Sequence, residues 1–192
     1  SLLILLIVAL GLGAYIYFVE SGRDPTGTVT RDPVFDVERD DITSLTVRAS
    51  DADETTTLER TDGTWTVVSP VATAADSATV EAILSALTSM QIERVIEDAP
   101  TDIARFGLDP ADVEVTFSTT DGTARTLSLG SATPTGSGMY AQTDDTPRLL
   151  LVPSYHRASL ARTTFDLLNR RVLDVAQATI DRVDVARESA PA

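Results

Sequence analysis

His156 is the only histidine in the 192-residue chain, and there is no cysteine. Imidazole acid–base work, imidazole metal ligation and activation of a serine nucleophile would all fall to this one side chain. A serine hydrolase also needs its nucleophile on a sharp turn, and no Gly-x-Ser-x-Gly occurs. His156 stands beside Tyr155 in the first turn of an expected helix, where a partly exposed structural role is the simpler expectation. Without thiolates, a zinc-thiolate site, a disulfide and a cysteine nucleophile are excluded, and a metal would need carboxylates. Asp51, Asp53 and Glu54 form one small acidic cluster, and Asp144 and Asp145 another. Neither follows the EF-hand pattern, and both read as solvated turns. Gly136-Ser137-Gly138 lacks the third glycine and the following helix of a dinucleotide fingerprint. Paired carboxylates of the glycosidase kind need only meet in space, but nothing in the sequence selects a pair. The expectation is a non-enzymatic protein with no catalytic residue, no cofactor and no metal.

Charge narrows the partners. The formal net charge is −14 and the pI about 4.3. Nucleic acid binding needs a basic patch that releases counterions, so nucleic acid is excluded as a partner. Docking of the domain on an anionic lipid surface is disfavoured for the same reason. All 15 basic residues are arginine, and Asn169 is the only asparagine.

The elements that would position these side chains follow from periodicity. Ile42, Leu45 and Val47 mark a strand, and Thr55 to Arg60 the next. Thr61-Asp62-Gly63-Thr64 predicts a type I′ hairpin, because Asp-Gly supplies two residues with positive φ. Trp65 and Val67 alternate in the return strand. Asp76 or Ser77 caps a helix whose Val80, Ile83, Leu84 and Leu87 form one apolar stripe. Ile92 to Ile96 reads as a short strand, and Thr101 to Phe106 as a helical turn closed by Gly107 and stopped by Pro110. Val113, Val115 and Phe117 alternate, Thr120-Asp121-Gly122-Thr123 repeats the earlier turn letter for letter, and Leu127 and Leu129 alternate on the return. Ser131 to Gly138 is a loop of small residues. Met139 to Thr143 and Arg148 to Val152 form a third hairpin. Ser154 caps a last helix, Tyr155 to Leu168, with Leu160, Thr164, Leu167 and Leu168 on one face. The fold class is α+β: antiparallel β-hairpins with about three helices, preceded by an N-terminal transmembrane helix.

That transmembrane segment is read from Leu2 to Val19, which contains no charge. At ~1.5 Å per residue it approaches the ~30 Å hydrocarbon core. Leu2, Leu6 and Leu10 supply apolar surface, and Ala9 with Gly13 makes a small-xxx-small pair. Tyr15, Tyr17 and Phe18 sit where an aromatic belt meets the headgroups. Bulky Ile16 to Val19 offer no small-x-small cleavage site, so an uncleaved anchor is expected, with the N-terminus inside. Residues 1–20 are thus the anchor, 21–40 a Gly- and Pro-containing tether, and 41–192 an extracytoplasmic α+β domain.

The tail carries an internal repeat. Phe35-Asp36-Val37, then Ile42, Leu45 and Val47, corresponds to Leu173-Asp174-Val175, then Ile180, Val183 and Val185, every pair at one offset. A partial second copy is expected over 173–185. Its strand would close the domain's own sheet or offer an edge to a partner. Arg170 and Arg171 would cap the dipole of the preceding helix or face an anion or partner.

Trp65 with Pro70 and Ala75-Asp76, the run Phe106-Gly107-Leu108-Asp109-Pro110, Leu129-Gly130, Thr133-Pro134, Gly138-Met139-Tyr140 and the stretch Leu168 to Leu173 together carry a resemblance. The chain resembles the extracytoplasmic family called domain of unknown function 4340, over roughly Phe35 to Val185. The resemblance implies a place beside gliding-motility-type ABC transporters, and repeated copies of the unit in longer members. Many members carry an aspartate near the last helix where Asn169-Arg170-Arg171 stands here. The resemblance supplies no catalytic residue. The functional expectation is an accessory or scaffold subunit, held in the inner membrane's lipid bilayer beside an integral membrane protein complex, bioenergetic (photosynthetic or respiratory) or transport. The alternative is a ligand-binding auxiliary module of an ABC-type transport or gliding-motility system. The partner-contact residues would be Arg170, Arg171, Ile180, Val183 and Val185.

Overall fold

The computed structural model describes residues 31–49 and 54–170. The anchor residues Leu2, Leu6, Leu10, Gly13, Tyr15, Tyr17 and Phe18 lie outside them, as do Asp51, Asp53, Arg171 and the repeat over 173–185 with Ile180, Val183 and Val185. No helix among the described residues is long and apolar enough to cross a membrane.

The strands are β1 (Ile42–Ala49), β2 (Thr55–Thr61), β3 (Thr64–Ser69), β4 (Thr73–Ala74), β5 (Arg94–Glu97), β6 (Val113–Thr119), β7 (Ala124–Ala132), β8 (Gly138–Thr143) and β9 (Leu149–Pro153). They form one nine-stranded sheet in the order β4-β3-β2-β1-β6-β7-β8-β9-β5, antiparallel at every pairing. Among the described residues three α-helices accompany it: α1 (Ser77–Ser89), α2 (Arg157–Leu160) and α3 (Thr164–Leu167). The protein is α+β, as the periodicity predicts.

Alternation decides which face is covered. Ile42, Leu45 and Val47 of β1, Val113, Val115 and Phe117 of β6, and Leu127 and Leu129 of β7 are buried in one core. Side chains alternate across a strand, so these residues share a face. Helix α1 closes that face with Val80, Ile83, Leu84 and Leu87, each contributing roughly 1.5–3 kcal/mol by burial. Asp76 starts the helix by accepting a hydrogen bond from Thr79 N at 2.8 Å. The opposite face stays polar: Thr46, Thr116, Thr126 and Ser128 are all half-buried.

Several expectations change. The folded unit begins at Pro33, so residues 33–40 belong to it rather than to the tether. Phe35 is buried edge-on against Phe117, with ring centroids 5.0 Å apart, and Val34 N donates to Met90 O. The strand expected at Ile92 to Ile96 forms over Arg94–Glu97.

The single helix expected from Tyr155 to Leu168 is instead a 3-10 turn (Ser154–His156), then α2, then α3. Ala161 breaks it at φ −77° and ψ 72°, where Arg162 N donates to Leu160 O in an inverse γ-turn. Thr163 then restarts the chain with a capping box: its hydroxyl accepts from Asp166 N, and its own N–H donates to the Asp166 carboxylate. Ser154 caps nothing, because its hydroxyl donates to Gly136 O at 2.7 Å. Leu160 and Leu167 still reach the core, since the break re-aims the chain without withdrawing the stripe.

Candidate interaction surfaces

The polar face is ordered by strand register. Thr57, Thr46, Thr116 and Thr126 stand opposite one another on β2, β1, β6 and β7. Thr46 and Thr57 hydroxyls are 3.4 Å apart, and those of Thr116 and Thr126 3.0 Å. In the next row Arg48 pairs with Glu114 at 3.2 Å, and Ser128 and Gln142 continue it across β7 and β8. Sequence reading took these threonines only as the polar half of each alternation. Their alignment is set by pairing between strands distant in the chain.

Three of the segments that carry the family resemblance, Phe106-Gly107, Gly130 and Tyr140, meet beside this face. Phe106-Gly107 lies against Gly130-Ser131 backbone to backbone: a Cβ at Gly130 would collide with Phe106 O, and one at Gly107 with the Ser131 hydroxyl. Gly107 has φ +70°, which closes the preceding turn in the left-handed region. The Phe106 ring packs on Tyr140 at 4.7 Å and carries the Arg105 guanidinium at 4.5 Å from its centroid. The glycines therefore permit a close docking of loop on sheet, and no acid–base or nucleophilic arrangement is built from this motif.

His156 is 5% exposed rather than partly exposed. Its Nε2 has no hydrogen-bond partner, and burial pushes its pKa below the ordinary value. The Tyr155 ring packs on it at a tilt, with centroids 4.2 Å apart, and is itself exposed. Asp145 accepts from the Thr143 hydroxyl and pairs with Arg125 at 3.2 Å, so it shapes its turn. Among the described residues no group of three or more His, Asp or Glu side chains is placed to hold a metal ion.

The last described segment presents a different surface. Phe165 is 63% exposed, and the Arg170 guanidinium lies over its ring, 4.7 Å from the centroid. Asp166 is held below the usual carboxylate range, first by the Thr163 hydroxyl, then by the Thr163 N–H, with Arg162 and Arg170 adding charge attraction. Among the described residues neither Arg162 nor Arg170 forms an ion pair. Asn169 N donates to Ala74 O at 3.0 Å, which brings this segment beside edge strand β4. Arg170 thus has an aromatic partner in Phe165. Phe165 was not singled out from sequence; Thr163-x-x-Asp166, a capping signature, was the available signal that a helix restarts there.

This is a sheet-based domain whose first helix packs on the apolar face of the sheet. The chain belongs to the family described as domain of unknown function (DUF4340), whose model matches residues 65–191. Strand β1 lies outside that match yet sits mid-sheet between β2 and β6. No curated protein and no solved structure matches the chain.

Proposed function

We propose that this protein is a non-enzymatic accessory or scaffold subunit. Residues 1–20 would anchor it in the inner membrane, with the domain on the extracytoplasmic side, beside a larger integral membrane complex of bioenergetic or transport function. The observation that carries this reading is the nature of the exposed surfaces. A threonine-lined sheet face offers contact to another macromolecule. The charge-free run from Leu2 to Val19 supports the anchor.

Mild-detergent purification from native membranes, with mass spectrometry of the co-purifying proteins, tests the subunit role. Stoichiometric recovery with one large membrane complex is expected; recovery alone overturns it. Protease added to right-side-out spheroplasts should remove the domain, and full protection would sink the topology.

A second reading, a ligand-binding auxiliary module of an ABC-type transport or gliding-motility system, draws on the Phe106–Tyr140 pair beside the polar row of Ser128 and Gln142. It predicts a copurifying small ligand and loss of that ligand on Tyr140→Ala.

A further inference from the structure

The chain's charge of −14 argues against an anionic lipid surface, but charge acts locally. Beyond a Debye length of ~8 Å at physiological salt, exposed charges contribute little. At α3 the Arg170 guanidinium covers the exposed Phe165 ring, and half-buried Arg162 stands three residues before it with its Nε donating to Ser159 O. The one carboxylate of the segment, Asp166, is bonded by Thr163 in the capping box and attracts both guanidinium groups. Neither guanidinium has an ion-pair partner among the described residues. Val71, which leads into the adjacent edge strand, is 62% exposed.

We propose that the cluster of Arg162, Phe165 and Arg170 docks the domain on an anionic phospholipid surface. The inference rests on the anchor reading, which holds the domain at high effective concentration beside a bilayer. Two arginines against the single carboxylate Asp166 leave a positive excess that complements lipid phosphates, and an aromatic ring with one polar flank suits the headgroup boundary. A small cluster suffices for a tethered domain, whereas a stable protein interface calls for about 800 Å² per partner. The acidic remainder of the domain is repelled by the same surface, which fixes the orientation.

Phe165→Trp keeps an aromatic and adds a reporter to a chain whose single tryptophan, Trp65, is buried. The full chain is placed in nanodiscs of phosphatidylcholine, or of an equal mixture with phosphatidylglycerol, with and without brominated acyl chains. The difference emission against wild type should shift to the blue and be quenched by bromolipid in the mixed discs only, and high salt should reverse it. Arg162→Gln with Arg170→Gln, at an unchanged melting temperature, should lower the docked population roughly tenfold or more. The same signal in pure phosphatidylcholine, no signal in the mixture, or indifference to the arginine substitutions overturns the proposal. Failure of the chain to co-elute with discs would instead overturn the anchor reading, and this inference with it.

Discussion

Residues 61–64 and 120–123 have the same sequence, Thr-Asp-Gly-Thr, and form different turns. In the first, Thr61 pairs with Thr64 across a two-residue loop, with Asp62 at φ 51° and Gly63 at φ 78°, a type I′ turn. In the second, Thr119 pairs with Thr123: Gly122 N donates to Thr119 O, Thr119 N to Thr123 O, and Gly122 alone takes positive φ, at 84°. That is a three-residue loop closed by a left-handed glycine. The Asp121 carboxylate accepts from Thr119 Oγ1, Thr123 N and Thr123 Oγ1. The strands impose the difference. Leu58 must face Val67, an even position against an odd one, whereas Val115 must face Leu127, both odd. Each added loop residue shifts the partner by one and moves its side chain to the other face, so the first hairpin requires an even loop and the second an odd one. Turn letters permit a turn; the apolar pairs on either side choose which.

Exchanging Leu127 and Ser128 (Leu127→Ser with Ser128→Leu) is the harshest way to break this comparison. At the native register it sets a serine against Val115 in the core and a leucine on the polar face, and urea titrations should show a loss of about 3–5 kcal/mol. Retention of the native stability would show that the apolar pairs do not choose the loop.

Glycine substitutions sharpen it further. Gly130→Ala should cost about 2–4 kcal/mol in urea titrations, because its Cβ meets the Phe106 carbonyl of a docked loop. Gly63→Ala and Gly122→Ala should each cost only about 1–2 kcal/mol, since nothing lies within 4 Å and only the positive φ is penalised. Equal losses at all three would mean that close approach contributes nothing at Gly130.

Acid provides a graded test. His156 is buried with a depressed pKa, so folding favours its neutral form. Stability is full above the unfolded pKa of about 6.5 and declines as pH falls below it. The urea midpoint should therefore drop from pH 7.5 to pH 5.5, and His156→Gln should flatten that slope. Asp121 is also depressed, by the Thr119 hydroxyl foremost, then by Thr123. Its contribution is present above the ordinary carboxylate pKa and lost as pH falls through its lowered value. The smallest expected effect is therefore local: in strong acid, Thr123 N–H should lose hydrogen-exchange protection before the strands on either side. Simultaneous loss would deny the carboxylate its part in the turn.

Most of the sheet was legible because strand alternation and the α1 stripe are strong, local signals. The parity that separates the two turns was also present, in the positions of Leu58, Val67, Val115 and Leu127, but reading it requires knowing which strands pair. The end of the chain was less legible. Leu160, Thr164, Leu167 and Leu168 fit one helical face, yet Ala161 and the Thr163–Asp166 box interrupt it, and Thr164 bonds Thr56 on β2 at 2.7 Å. Of the residues expected to contact a partner, Arg170 is placed on Phe165, while the others lie outside the described residues.

The sequence by itself determined the α+β class, the strand and helix periods, the capped start of α1 and the absence of any cysteine, because each depends on neighbours within a few positions. Tertiary structure alone decided the threonine row, the docking of Phe106-Gly107 on Gly130, the burial of His156 and the bond between Thr56 and Thr164. Those arise where segments distant in the chain are pressed together, and there the registers of several strands and the turns of a broken helix act at once.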